Sequence, residues 1–431
     1  MAFILKWQYG FERCHSFNIF AIMPVQLSTE QLLQAANEFG TPLYVYHAEK
    51  IKEQYGKLTS AFSMLNTKFF YASKALTNIN ILRYIKEIGC NIDCSSINEV
   101  KLALHAGFEP QLILYTSNGI AFDEIEEAVA AGVHINIDSL SNLEKFGKKY
   151  GHTYPVGIRI RPNIMAGGNL KISTGHEGSK FGIPVNQLDK IEEIVKQNNL
   201  FIRTLHIHTG SDIKDADVFV KGIEVLFEMI PHFPELEVID LGGGFKVPYK
   251  PAEKETDVNL LAQKIKETFD RHPVVENKKF QLWFEPGKFM VSQCGYLLTQ
   301  VTVLKDTGTN VFAAVNSGLN HLIRPMMYDA YHHIENISNP TGQEKIYTIT
   351  GNICETDTFA ADRAITEIKE GDYLVFYNAG AYGFEMASNY NSRYKPAEVL
   401  FINDKSFIIR KKDVFEDLLN HQVEVLQRKF S

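Results

Sequence analysis

A regular alternation of short apolar runs with longer amphipathic segments, over residues 68–287, constrains the fold more than any other feature of this sequence. The intervening segments, such as 97–108 and 122–133, place apolar residues three and four apart and have a glycine near the end, as amphipathic helices do. Strands that alternate with helices form a parallel sheet, and eight such units close a barrel. The pattern therefore predicts an α/β protein with a (β/α)8 TIM barrel over 47–290. The eight apolar runs are 68–74, 90–95, 111–116, 133–138, 155–162, 202–210, 236–244 and 280–287.

The pattern changes after residue 290, where β-rich pieces joined by Gly, Asn or Asp turns replace the regular helices and predict an all-β domain. The early run 41–47 has no barrel partner of its own, so we expect it to pair with the later sheet. The β-domain is therefore assigned to 23–46 plus 291–431. Residues 415–430 are predicted to form a closing helix. Residues 1–22 are interpreted as an N-terminal tail that need not be native.

Composition excludes several functional classes. With 45% apolar and 22% charged residues, the chain has the make-up of a globular protein. Its net charge of -7 and pI near 6.1 indicate no general attraction to nucleic acid or to an anionic membrane. Five cysteines are few and odd in number, which favours a reducing compartment, and we expect a cytoplasmic protein.

Polar residues fall where the predicted barrel strands end. The working groups of such barrels sit at the C-terminal ends of the strands, so these side chains are expected to converge on one mouth. They are Lys74, Asp93, Ser95, Arg159, His206, His208, Gly242, Gly243, Gly244 and Glu285.

These residues suit one cofactor. The glycines 242–244 follow the seventh strand, where barrels of this kind commonly bind phosphate, although a triple glycine alone is equally typical of a flexible turn. The amine of Lys74 can form a Schiff base with an aldehyde, and an amine beside a phosphate site suits pyridoxal 5'-phosphate. Glu285 can then contact the pyridine nitrogen, His208 can stack on the ring and Ser211 can contact the phosphate. The alternative for Lys74 is a lysine whose stem lies along a strand end with its charge in water.

A series of eight motifs resembles one family. "YASKA", "IDCSSINE", "HIHTGSD", "DLGGGF", "EPGKF", "NHLIRPMMYDAYH", "GNICETDTF" and "NAGAYGFEMASNYNSR" are similar, in this order, to the motifs of the diaminopimelate decarboxylases, which are fold-type III pyridoxal phosphate enzymes with an alanine-racemase-like fold. The resemblance covers residues 30–420. It implies a barrel with a β-domain, and a homodimer in which each active site is completed by the partner's β-domain.

Carried over residue by residue, the resemblance implies three sets of site residues, with Cys354 and Glu355 lent by the partner subunit. The catalytic residues are Lys74, His208 and Cys354. With Asp93, Arg159 and Ser211 added from the strand-end pattern and not from the resemblance, the cofactor-binding residues are Lys74, Asp93, Arg159, His208, Ser211, Gly242, Gly243, Gly244, Glu285 and Tyr382. The substrate-binding residues are Lys288, Arg324, Tyr328, Glu355 and Tyr382. No metal is expected. One departure is Lys288, where the family often has arginine, so the charge is kept but the bidentate fork is lost.

The resemblance implies decarboxylation of meso-2,6-diaminopimelate to L-lysine, the last step of lysine biosynthesis, with Cys354 protonating the α-carbon. Decarboxylation of ornithine, arginine or carboxynorspermidine is the nearest alternative, and Glu355 argues against ornithine because ornithine enzymes tend to have aspartate after the cysteine. A metal-dependent hydrolase is a further alternative, since His206 and His208 lie two apart on one strand, but no matching set of other ligands is found. A non-catalytic binding module would not need Cys354 and Glu355.

Overall fold

The computed structural model describes residues 26–164, 175–275 and 279–425. The tail expected at 1–22 and the end of the helix expected at 415–430 lie outside these residues. Among the described helices, none combines the length and apolar character that a membrane span requires.

The described chain forms strands and helices in an order that begins with one helix and one strand before the barrel. The strands are β1 (Leu43–His47), β2 (Thr67–Ala72), β3 (Asn91–Cys94), β4 (Ile113–Thr116), β5 (His134–Ile137), β6 (Val156–Arg161), β7 (Ile183–Pro184), β8 (Ile202–Ile207), β9 (Val238–Asp240), β10 (Gln281–Phe284), β11 (Gly295–Asp306), β12 (Val311–Val315), β13 (Ile334–Asn336), β14 (Glu344–Thr350), β15 (Thr358–Thr366), β16 (Tyr373–Phe376), β17 (Ala397–Ile402) and β18 (Lys405–Arg410). The helices are α1 (Thr29–Phe39), α2 (Ala48–Ala61), α3 (Ile79–Glu87), α4 (Ile97–Ala106), α5 (Phe122–Ala131), α6 (Leu140–Tyr150), α7 (Leu188–Asn198), α8 (Ala216–Met229), α9 (Val258–Arg271), α10 (Lys288–Val291), α11 (Arg324–Tyr328) and α12 (Phe415–Leu419).

Within the described residues, eight parallel strands close the predicted barrel. They run in the order β2, β3, β4, β5, β6, β8, β9 and β10, and β10 pairs with β2 to complete the ring. Each predicted apolar run contains one of these strands, so the TIM-barrel prediction is confirmed. The two-residue strand β7 pairs with β6 and was not predicted, because two residues are too few to show a pattern.

Local sequence explains why the barrel helices begin and end where they do. In α4, the Ser96 side chain caps the first turn by accepting the backbone N–H of Glu99 at 3.2 Å. The helix ends at Gly107, which has a left-handed backbone. Between these signals, Val100 and Ala103 face the core three residues apart. The helix thus starts directly after β3 and leaves the end of that strand facing the barrel mouth.

A mixed sheet forms the second domain. Its strand order is β15, β14, β12, β11, β1, β17 and β18, with β16 beside β11 and β13 beside β16. Strand β1 is antiparallel to β11 and parallel to β17, which confirms that the early run pairs with the later sheet. The domain limits given above stay a prediction.

Helices also occur among the residues assigned to the β-domain. Helix α1 begins with a capping box at Ser28 and buries Leu32 and Ala35 in a cluster with Val45 and Val399. The closing helix is also shorter than expected, because α12 ends at Leu419 and the described residues beyond it are not helical. Its apolar residues stay exposed, and a short helix without packing is unstable in water.

Hydrogen bonds fix a β-domain loop to the turn that carries Lys74. The backbone N–H of Tyr382 donates to the carbonyl of Ala75 at 2.9 Å. The Glu385 carboxylate accepts both the backbone N–H and the hydroxyl of Thr77 at 2.7 Å. The β-domain therefore supports one side of the barrel mouth.

The buried Glu398 carboxyl group at the domain junction makes stability depend on pH. It accepts hydrogen bonds from the Tyr46 hydroxyl at 2.8 Å and the Asn78 amide at 3.1 Å, but burial raises its pKa from 4.5 to about 7. Between these values the unfolded chain ionises while the folded chain keeps the proton, so the free energy of unfolding falls as the pH rises through this window and then levels off.

We expect Glu398→Gln to remove this pH-dependent fall in the free energy of unfolding. The variant should match the wild type near pH 4.5 and exceed it by about 3 kcal/mol near pH 8. Urea unfolding of both proteins at the two pH values measures this difference. The exposed Glu344→Gln is the control and should show the same offset from wild type at both pH values. A Glu398→Gln protein whose offset is also independent of pH would contradict the assignment.

Candidate active site

A cavity of about 720 Å³ lies at the C-terminal ends of the barrel strands and is completed by residues of the β-domain. It gathers most of the charged and aromatic residues expected in the site. The expected site residues that line it are Lys74, Arg159, His208, Ser211, Lys288, Arg324, Tyr328 and Tyr382.

Lys74 lies in a single 3-10 turn, Ser73–Ala75, directly after β2. The Ser73 hydroxyl donates to the Asp93 carbonyl at 2.9 Å, which holds the turn against the next strand. Burial acts to lower the pKa of Lys74, but the acidic side chains around it, led by Asp93, outweigh this effect and raise the pKa above its ordinary value. The amine therefore extends into the cavity as a cation surrounded by acids.

The glycine loop after β9 packs too closely for side chains. A Cβ atom on Gly243 would lie 2.2 Å from the Glu285 carbonyl oxygen, and one on Gly244 would lie 2.2 Å from the Gly210 carbonyl oxygen. The backbone N–H of Gly243 donates to His208 Nδ1 at 3.1 Å. Backbone atoms of this loop therefore connect the ends of β9 and β10, the seventh and eighth barrel strands, with the His208 ring, and no side chain intervenes.

Glu285 is an ionised carboxylate buried beneath the cavity. It is 7% exposed, its Oε1 lies 3.3 Å from His206 Nε2, and the Thr116 hydroxyl donates to it at 3.5 Å. Burial acts to raise its pKa, but His206 and the Lys74 cation outweigh burial and lower it.

Two neighbouring acids behave in the opposite way. Burial and then the negative charge of Glu285 raise the pKa of Asp93 and of Asp240 well above the ordinary range. The Glu285 carboxylate thus keeps its charge while it disfavours ionisation of its two acidic neighbours. Among the described residues, the buried Asp93 Oδ1 has no hydrogen-bond partner, so a donor on a ligand would satisfy it.

The metal-dependent hydrolase alternative relied on His206 and His208, but the structure groups His206 with other side chains. Among the described residues, the group whose ligand atoms all lie within 4.8 Å of one another consists of His206, Asp240 and Glu285, and all three are buried. His208 is not in this group and instead accepts the Gly243 N–H. Burial lowers the pKa of His206, which favours a neutral imidazole beside the Glu285 carboxylate.

One wall of the cavity carries two cations. Lys288, 9% exposed, donates to Asp212 Oδ1 at 2.5 Å. Arg324 donates to the Tyr249 hydroxyl at 2.8 Å, and its guanidinium lies 4.9 Å from the centre of the Tyr249 ring. Elsewhere on the cavity wall, the Arg159 guanidinium lies 4.7 Å from the Phe181 ring.

Sequence reasoning missed four of these cavity residues. Thr116 ends β4 and could have been found with the strand-end rule, and Asp212 directly follows the predicted Ser211. Tyr249 and Phe181 lie outside the named strands and helices, where no periodic pattern marks them.

Cys354 and Glu355 do not line this cavity. Both are exposed, Cys354 Sγ donates to the Asn391 side-chain oxygen at 3.4 Å, and the Tyr390 hydroxyl donates to Glu355. Their placement in a partner's site stays a prediction.

Comparison with known proteins identifies relatives along nearly the whole chain. Residues 48–292 match the family described as "Pyridoxal-dependent decarboxylase, pyridoxal binding domain". The diaminopimelate decarboxylase of Methanothermobacter thermautotrophicus is 39% identical over 401 residues, covering 90% of this chain and 93% of the relative. That of Aquifex aeolicus is 35% identical over 404 residues, covering 91% and 94%. The crystal structure of Helicobacter pylori diaminopimelate decarboxylase complexed with L-lysine superposes with a TM-score of 0.83 at 31% identity, covering 93% of this chain and all of that chain.

Proposed function

This chain belongs to the pyridoxal-dependent decarboxylase family, and we propose that it converts meso-2,6-diaminopimelate to L-lysine and CO2. It is a pyridoxal-phosphate-dependent amino-acid decarboxylase, as its sequence predicted. We further propose that it acts in the cytoplasm as a homodimer with shared active sites, and that the reaction is the last step of lysine biosynthesis.

The residues present fit the cofactor. Lys74 would supply the amine that attaches it, the glycine loop 242–244 with Ser211 would offer backbone and hydroxyl groups for the phosphate, and Glu285 would hold the pyridine nitrogen. The phosphate role requires a loop with no room for Cβ atoms, which the glycine loop 242–244 provides. The role at the ring nitrogen requires a buried acid that remains ionised, which Glu285 provides. When bound, pyridoxal phosphate supplies an electron-poor ring that takes up the electron pair left when the bond to the carboxylate breaks.

The protein's own groups control the protons of the reaction. The Glu285 carboxylate would stabilise a proton on the ring nitrogen and so keep the ring electron-poor. His208, which accepts the Gly243 N–H, would hold the ring by stacking. The partner's Cys354 then donates a proton to the α-carbon where CO2 has left, so that one proton replaces one carboxylate.

The observation that carries the choice of substrate is the charge of the cavity wall. Seven lysine and arginine side chains line the cavity against three acids, and Lys288 and Arg324 lie with Asp212 on one wall. A net positive wall attracts a distal carboxylate and repels a distal end that is only cationic. Among the alternatives, ornithine and arginine have such cationic ends, whereas diaminopimelate has the carboxylate.

A panel of amino acids tests the function. We expect purified enzyme to release CO2 from meso-diaminopimelate with a kcat/KM at least about 100-fold above that for ornithine, arginine or carboxynorspermidine, because buried charges left unpaired by the wrong substrate are costly. Product identification by mass spectrometry should give lysine. Activity with ornithine or arginine but none with diaminopimelate would overturn the assignment.

A further inference from the structure

An acid and two cations lie side by side on one wall of the cavity. Asp212 accepts a hydrogen bond from Lys288 through Oδ1. The Asp212 side chain is 27% exposed against 9% for that of Lys288, so the acid is the more accessible member of the pair. Within the part of the chain that the structure describes, Asp212 Oδ2 accepts no hydrogen bond. One carboxylate oxygen is therefore available to a ligand.

The backbone holds Asp212 in an unusual position. Its φ is +61°, in the left-handed region that residues other than glycine adopt infrequently. The next residue, Ile213, donates its N–H to the Gly244 carbonyl at 2.8 Å, which joins this turn to the glycine loop. Such conformations persist where surrounding structure enforces them and often occur at ligand sites. The carboxylate is thus preorganised on the wall.

Tyr249 places the second cation beside the pair. Its hydroxyl accepts from Arg324, and its ring centre lies 4.9 Å from the Arg324 guanidinium and 5.8 Å from Lys288 Nζ. The distal end of diaminopimelate carries an ammonium and a carboxylate on the same carbon. Such an end requires an acid and a cation that are immediate neighbours, and this wall provides them.

Other acids on the cavity wall are less suited to an ammonium group at this place. Glu253 already accepts the backbone N–H groups of Tyr249 and Lys250 and pairs with Lys246 at 3.3 Å. Asp329 is exposed and, within the described residues, forms no ion pair with Lys288 or Arg324.

We propose that Asp212 is a specificity-determining residue that binds the distal ammonium of the substrate while Lys288 and Arg324 bind the distal carboxylate. This role rests on the proposed function. The competing candidate for the ammonium is the partner's Glu355, which the resemblance placed among the substrate-binding residues. With Asp212, one subunit recognises both charges of the distal end.

Paired ligands that differ in one group test the role. Because loss of CO2 from meso-diaminopimelate gives L-lysine, the reacting carbon is the D-configured one, and D-2-aminopimelate keeps this centre and both carboxylates but lacks the distal ammonium. In Asp212→Asn holoenzyme we expect KM for meso-diaminopimelate to rise about 10- to 100-fold, while the inhibition constant of D-2-aminopimelate stays the same or falls because Lys288 loses its competing partner. Asparagine tolerates the left-handed backbone, so the turn is kept. Asp212→Gly, equally compatible with that backbone, is the second variant and should show the same split.

Asp329→Asn is the matched control, since Asp329 also lines the cavity with a left-handed φ of +54°. The ratio of its KM for meso-diaminopimelate to its inhibition constant for the aminopimelate analogue should equal that of the wild type. Glu355→Gln separates the competing assignment. If the ratio of the two constants is unchanged in active Asp212 variants, the inference is wrong and the proposed function stays intact. The same conclusion follows if the ratio changes in Glu355→Gln but not in the Asp212 variants. If the wild-type enzyme does not decarboxylate diaminopimelate, both the role of Asp212 and the proposed function are wrong.

Discussion

Lys74→Ala is expected to lower kcat for CO2 release by about 10³-fold or more, because the variant lacks the amine that attaches the cofactor. The structure places that amine on the cavity, within a group of acids that raise its pKa. Stopped-flow or radiometric CO2 release measures the loss. The visible absorption spectrum of the purified variant should also change, since the bond between lysine and cofactor cannot form.

Two further variants separate attachment from charge. Lys74→Arg keeps the positive charge but has no nucleophilic amine, so we expect it to be as inactive as Lys74→Ala. Lys180→Ala removes another lysine that lines the same cavity and should keep activity near that of the wild type. If Lys74→Arg retained activity, the electrostatic contribution of Lys74 would be sufficient and the attachment role would be wrong.

The barrel could be predicted because its determinants are local. Each strand is a short apolar run, several helices have a side-chain cap or a glycine stop, and these signals repeat along the chain. The strand-end rule then placed Lys74, Arg159 and His208 at one mouth, and all three line the cavity. Position along a strand was sufficient because every strand of a parallel barrel ends on the same side.

The distal wall could not be predicted in the same way because its contacts are distant in sequence. Lys288 meets Asp212 across 76 residues, and Arg324 meets Tyr249 across 75. Neither pairing leaves a periodic signal, and the loops that carry Asp212 and Tyr249 have no regular structure. Sequence reasoning interpreted Lys288 as a weaker replacement for arginine because its partner Asp212 could not be recognised from the sequence. With that partner present, the wall presents both charges.

Local sequence patterns also could not predict how α1 packs or where Cys354 and Glu355 of a partner subunit lie. Helix α1 has only eleven residues, and its burial against Val45 and Val399 depends on a sheet assembled from both ends of the chain. Cys354 and Glu355 are exposed and away from the cavity of their own chain. An exposed cysteine beside an acid has a catalytic role here only if a second subunit brings it to a cavity.

Mixing two inactive subunits should therefore restore activity. Lys74→Ala lacks the attaching amine, and Cys354→Ala, which we expect to lose about 10²- to 10³-fold in kcat, lacks the proton donor. In a mixed dimer, one site combines the intact Lys74 of one subunit with the intact Cys354 of the other. Random exchange makes half of the dimers mixed, so about a quarter of wild-type activity should return. Native mass spectrometry of differently tagged subunits verifies the exchange. Verified mixed dimers without recovered activity would mean that each subunit uses its own Cys354, or none.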